Sequence, residues 1–157
     1  MSVLLTLSEG VRTIAVAAVA LGGALTWYAL KTGSIPTSSP ERLVGELRLS
    51  QFAALLLTLS AGAYVGLAAV NPSRLGIGLD VAFATGFLLV AAVAILREPR
   101  QALTVLSLAF AAHAILDIGH RPGLLPEGIV PTWYSIGCAV FDVYIGALCY
   151  YPVLRRP

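Results

Sequence analysis

The chain has 157 residues, of which 58% are hydrophobic and only 11% are charged, and its mean hydropathy is +0.87. This balance excludes an ordinary soluble domain and predicts an integral membrane protein that lives in a lipid bilayer. The formal net charge of +2 is small and comes from dispersed residues without a basic tract, which argues against a nucleic-acid partner.

Five apolar runs divide the chain, and each is close to the roughly 20 residues that a helix needs to cross the hydrocarbon core. They lie at about 11–30, 49–70, 76–96, 101–119 and 133–151. The sequence therefore predicts an all-α fold, a polytopic bundle of five transmembrane helices in a single domain over residues 1–157.

One long polar connection, between the first two runs, contains a candidate surface helix. Ser39 is a favourable N-cap residue, Pro40 suits the first helical turn, and three aliphatic residues follow on one side. This pattern predicts a short interfacial segment over residues 39–48.

The Lys and Arg residues are shared unequally between the two sets of alternating loops. Seven fall on one side: Lys31, Arg42, Arg48, Arg97, Arg100, Arg155 and Arg156. Three fall on the other: Arg12, Arg74 and Arg121. Because positively charged loops stay in the cytoplasm, we expect a multi-pass protein of the bacterial inner membrane with its N-terminus outside and its C-terminus in the cytoplasm.

Both histidines of the chain lie in one polar cluster at the end of the fourth run, in the sequence HAILDIGH. At 100° per residue, His113, Asp117 and His120 fall within about 60° of arc and form a stripe on one helix face. Asp142 in the fifth run and Asp80 in the third lie at similar depths below the outer ends of their helices. We therefore predict that Asp80, His113 and Asp142 share a pocket near the outer face, with His113 as the partner of Asp142.

Ionisable residues inside a membrane are costly and mark a functional site by default. In one interpretation the cluster binds a divalent cation such as Zn²⁺, which would need neutral imidazoles and so bind less tightly as the pH falls through about 6.5. In another, the catalytic residues His113 and Asp142 share a proton that activates water. In a third, the groups only hydrogen-bond one another and fix helix packing. The candidate metal ligands are His113, Asp117, His120, Asp142 and Asp80.

The sequence HAILDIGH, followed by PTWYS at 131–135 and CAVFD at 138–142, resembles a pattern in small uncharacterised bacterial integral-membrane proteins. This resemblance covers the last two predicted spans and implies no activity. A more distant similarity, to membrane hydrolases of the alkaline ceramidase and progestin-receptor superfamily, implies zinc and lipid amide hydrolysis. Those proteins have seven spans and three ligand histidines, whereas this chain has five predicted spans and two histidines.

Three classes of function are open. A metal-dependent enzyme or binding protein for a lipid or small amphiphile needs a cavity open to the outer leaflet. A transporter or proton-coupled carrier needs a polar route to the inner face, which the predicted spans lack, and a structural or accessory subunit of a membrane complex needs no site. Gly62 and Gly66 form a GxxxG pattern that favours packing within the bundle over a homo-oligomer. Tyr64 lies roughly 9 Å from the outer end of the second span and can face the cluster, but a packing role is favoured for it.

Overall fold

The computed structural model describes residues 2–70, 76–120 and 131–155, with side chains from residue 9 onward. Within these ranges it contains five helices and no strand, which confirms the predicted all-α fold. The helices are α1 (Ser2–Ser34), α2 (Pro40–Val70), α3 (Ile77–Ala94), α4 (Pro99–Gly119) and α5 (Thr132–Leu154). Each is long and apolar enough to cross a membrane.

The predicted spans fall on these helices, but α2 starts earlier than the second span. Residues 40–48 of the predicted interfacial segment are the beginning of α2 and not a separate helix, and Ser39 directly precedes them. Ser39 Oγ accepts a hydrogen bond of 3.2 Å from the backbone N–H of Glu41, the contact expected of a capping residue. The three aliphatic residues of this segment, Leu43, Val44 and Leu47, are exposed, so its polar side is the one that packs against the protein.

The end of the bundle that carries the α1–α2 connection is held together by Arg42, whose side chain is only 1% exposed. Its Nε donates to Glu46 Oε1 at 2.8 Å. Its terminal N–H groups donate to the carbonyl oxygens of Thr32 (2.6 Å), Ile35 (3.0 Å) and Pro152 (2.7 Å). These carbonyls lie at the ends of α1 and α5, where a helix lacks internal donors. Arg42 therefore joins α2 to the ends of two other helices.

The core lies where α4 and α5 meet, with α2 packed against both. Its largest buried apolar side chains include Leu49, Leu57, Leu103, Leu106, Phe110 and Ile145. Helices α4 and α5 approach closely at Gly146, where a Cβ atom would lie 3.2 Å from the carbonyl oxygen of Ser107 and 3.4 Å from Phe110 Cβ. This approach brings together the neighbouring turns of the two helices on the side of the α4–α5 connection, and these turns carry the polar cluster.

The packing role predicted for the GxxxG pattern of α2 is wrong. Gly62 and Gly66 are exposed, and a Cβ atom at either position would meet nothing within 4 Å. The two glycines are exposed because α2 is rotated so that Ala61, Tyr64 and Ala68 form its buried face in this region. The two glycines consequently lie on the outside of the bundle.

Candidate functional site

The centre of the polar cluster is His113 on α4, a buried side chain that contacts two carboxylates. Its Nδ1 lies 2.6 Å from Asp142 Oδ2 on α5, a hydrogen-bonding distance. The same nitrogen lies 3.4 Å from Asp117 Oδ2, one turn further along α4. The pairing of His113 with Asp142 that the sequence predicts is therefore observed. We refer to His113, Asp117 and Asp142 as the inner trio.

Simple helix geometry positions the inner trio. Asp117 follows His113 by four residues, so both side chains lie on one face of α4. Asp142 lies one turn before Gly146, and Phe110 lies nearly one turn before His113, so the close contact at Gly146 sets the two faces against each other. All three side chains of the trio are 5% exposed or less.

The trio presents a set of atoms that suits a divalent cation. Each residue offers one ligand atom, and these atoms all lie within 4.8 Å of one another. Imidazole nitrogen and carboxylate oxygen are ligand types that zinc and related ions use. Among the described residues, Asp117 Oδ2 and Asp142 Oδ1 are buried without a hydrogen-bond partner. Because a buried polar atom without a partner costs free energy, these two oxygens are available to a cation or to a proton donor.

Tyr64 on α2 belongs to the site, although the sequence favours a packing role over a position facing the cluster. Its hydroxyl donates a hydrogen bond to Asp117 Oδ1. Its ring packs edge-on against His113, with centroids 5.6 Å apart, and nearly parallel to His120, with centroids 6.1 Å apart. Tyr64 therefore fixes one carboxylate of the trio and separates the two histidines.

The remaining two predicted ligands, Asp80 and His120, form a second pair, which we call the outer pair. His120 Nε2 lies 3.3 Å from Asp80 Oδ1, and the two side chains are 5% and 2% exposed. Asp80 lies in the first turn of α3 and His120 directly follows α4. In the part of the chain that the structure describes, His120 Nδ1 and Asp80 Oδ2 have no hydrogen-bond partner. The five predicted ligands thus divide into two groups.

A cavity of about 10 Å³ lies between the outer pair and the trio, close to the space that one water molecule occupies. It is lined by Tyr64, Asp80, Phe83, Ala84, Phe87, His113, Leu116, Asp117 and His120. The shared pocket that the sequence predicts for Asp80, His113 and Asp142 therefore has two of these residues in its wall. Asp142 is connected to it through His113.

The charges of the cluster do not balance within the described residues. Three carboxylates face two imidazoles, so a net negative charge remains even when both rings carry a proton. The ion pairs found in the described ranges bring no Lys or Arg to these carboxylates. A net charge inside a membrane protein is unfavourable, so the cluster formed by the described residues would be stabilised by a further proton or by a nearby cation. Arg74, Arg121 and Arg156 lie outside the described residues.

Comparisons with protein-family models, with curated proteins and with solved structures find no match to this chain. The resemblance of the last two spans to small bacterial membrane proteins therefore stays a hypothesis. Function has to be argued from the site, because a five-helix fold by itself implies no activity.

Proposed function

We propose that this membrane protein binds a divalent cation at the inner trio, and that the site serves a metal-dependent enzyme or a binding protein for a lipid or small amphiphile. The observation that carries the proposal is the convergence of three ligand atoms within 4.8 Å, together with one oxygen on each of the two carboxylates that has no hydrogen-bond partner among the described residues. A network that served packing alone would satisfy these oxygens within the protein, since polar atoms without partners are costly in a lipid environment.

The composition of the trio suits a catalytic site better than a closed structural one. A catalytic zinc ion typically has three protein ligands and an open position for water or substrate, and the trio offers three ligands. The small cavity beside His113 leaves room for a water molecule. Tyr64 holds Asp117 through a hydrogen bond, the kind of supporting contact that orients a metal ligand. When bound, a divalent ion polarises a substrate oxygen and activates water.

The lipid or amphiphile part of the proposal is supported by an apolar cavity of about 360 Å³ between α1, α2 and α5. Its walls are mostly aliphatic and aromatic side chains, among them Leu21, Leu56, Trp133 and Phe141. Its lining also includes Cys138, which lies one helical turn before Asp142. An acyl chain in this cavity would place its polar end close to the depth of the trio, because both lie along the same stretch of α5.

We further propose that the protein lies in the bacterial inner membrane with its N-terminus outside, so that the polar cluster faces outward. The support is the excess of Lys and Arg on the side of the α1–α2 and α3–α4 connections. Alkaline phosphatase fused to the C-terminus should be inactive, and a green fluorescent protein fused there should fluoresce. Active phosphatase at the C-terminus would reverse the orientation, and fusions in the α4–α5 loop should give the opposite pair of signals.

Metal analysis tests the central proposal. Protein purified in mild detergent should contain about one divalent ion per chain, and added Zn²⁺ or Mn²⁺ should raise the melting temperature of the chelator-treated protein. Ligand linkage predicts a stabilisation of about 2.7 kcal/mol at an ion concentration one hundred times the Kd. A variant with both Cys138 and Cys149 replaced by serine controls for metal bound by thiols. Absence of stoichiometric metal together with no thermal response to metal or chelator would end the metal proposal.

A further inference from the structure

We propose that the outer pair, Asp80 and His120, is the capture site through which a divalent cation reaches and leaves the inner trio. This inference rests on the proposed cation site. It adds the direction from which the cation enters the site and the two residues that control the rate of cation exchange.

The first support is position. Asp80 lies in the first turn of α3 and His120 directly after α4, so both lie at the same end of the bundle, next to the α2–α3 and α4–α5 connections. Asp117 and His113 precede His120 by three and seven residues, which places them roughly 4.5 and 10.5 Å deeper along α4. The cavity of about 10 Å³ is lined by residues of both groups. Of the two groups, an ion that arrives at this end therefore meets the outer pair before the trio.

The second support is the set of atoms that the outer pair offers. Asp80 Oδ2 and His120 Nδ1 are buried and lack hydrogen-bond partners among the described residues. The side chains that carry them are more than nine-tenths buried and line the cavity. An imidazole and a carboxylate attract a divalent ion, but they supply one protein residue fewer than the trio. The outer pair is thus suited to hold an ion briefly, and the trio is suited to retain it.

The third support is the apolar character of the route to the trio from the opposite end of the bundle. Towards the inner end of the bundle, the trio is followed by buried apolar side chains, Phe110 and Leu106 on α4 and Ile145 on α5. An ion passing among them would lose its hydration water without gaining ligands, at a large cost in free energy. On the α3 side, the Phe87 ring packs against His113 with centroids 4.7 Å apart. In the described ranges, the carboxylate and imidazole groups next to the trio lie on the side of the outer pair.

Exchange kinetics test the inference on the full-length protein. The variants Asp80→Asn and His120→Gln each remove one ligand of the outer pair and keep a polar side chain of similar size. We expect the rate of Zn²⁺ binding and the rate of Zn²⁺ release to excess chelator both to fall by about tenfold or more. A charged entrance raises the rate of entry by at least this factor. Because a leaving ion follows the same path, loss of a ligand on that path raises the barrier to release as well. The Kd should change by less than about threefold, since both rates fall together.

The matched control is Glu98→Gln, which removes an exposed carboxylate at the opposite end of α4 and should leave both rates unchanged. Unchanged rates in both outer-pair variants would overturn the inference and leave the proposed cation site standing. Loss of stoichiometric zinc in either variant would also overturn it, because the pair would then hold the ion itself. Absence of zinc from the wild-type protein would overturn both proposals. The two variants lie in different helices, so a folding defect in one leaves the other as the test.

Discussion

Replacement of Arg42 by methionine is expected to lower the free energy of unfolding by about 3–5 kcal/mol, the range found when one partner of a buried ion pair is removed. The Arg42 side chain is 1% exposed and donates to Glu46 and to three backbone carbonyls. Methionine fills a similar volume but donates no hydrogen bond. The Glu46 carboxylate would lose this cation, and the ends of α1 and α5 would lose a common donor.

Two variants on the same helix give this prediction its controls. Arg48→Met removes an equal charge from an exposed position and should change stability by no more than about 0.5 kcal/mol. Arg42→Lys keeps the charge, but an ammonium group lacks the planar fork that reaches several acceptors, so an intermediate loss is expected. Denaturant titration in mixed micelles measures the differences. Equal stability of Arg42→Met and Arg48→Met would show that the buried contacts of Arg42 contribute little.

The five helices were predictable because the length of an apolar run is fixed by the thickness of the bilayer. The contacts of Arg42 were not predictable from the sequence. An Arg and a Glu four residues apart have the same spacing on an exposed helix surface and on a buried one. The acceptors that distinguish the two cases are backbone carbonyls of Thr32, Ile35 and Pro152, which no side-chain pattern encodes.

The depth of each site residue in the membrane was predictable from the sequence, but the rotation of the helices about their own axes was not. Counting residues from the helix ends gives depth at 1.5 Å per residue, and this placed His113 beside Asp142. The rotation of α2 and α3 depends on packing, which the sequence does not specify. As a result, Tyr64 faces Asp117 and Asp80 faces His120. The sequence favoured a packing role for Tyr64 over a position facing the cluster, and it predicted that Asp80 meets His113 and Asp142 directly.

Substitution of Asp142 by asparagine is expected to abolish stoichiometric metal binding while the protein stays folded. Asparagine has nearly the size of aspartate and still accepts a hydrogen bond from His113 Nδ1, but it is a neutral and weaker metal ligand. Since the loss of a residue that merely supports a metal ligand costs about 10–100-fold in affinity, the loss of a ligand should cost at least as much. Elemental analysis and zinc titration of the purified variant give the measurement, and circular dichroism and thermal melting show whether the fold is kept.

The comparison of Asp142→Asn with Asp142→Leu separates a cation site from a packing network. Leucine leaves His113 without its hydrogen-bond partner on α5, so the metal-free protein should lose about 1–2 kcal/mol of stability, whereas the asparagine variant in the same state should be close to the wild type. In a cation site, both variants lose the metal and the wild type alone is stabilised by zinc. In a packing network, Asp142→Asn changes neither metal content nor stability, and only Asp142→Leu lowers stability. The cation site therefore depends on the carboxylate charge, which asparagine lacks, and the packing network depends on the hydrogen bond, which asparagine keeps.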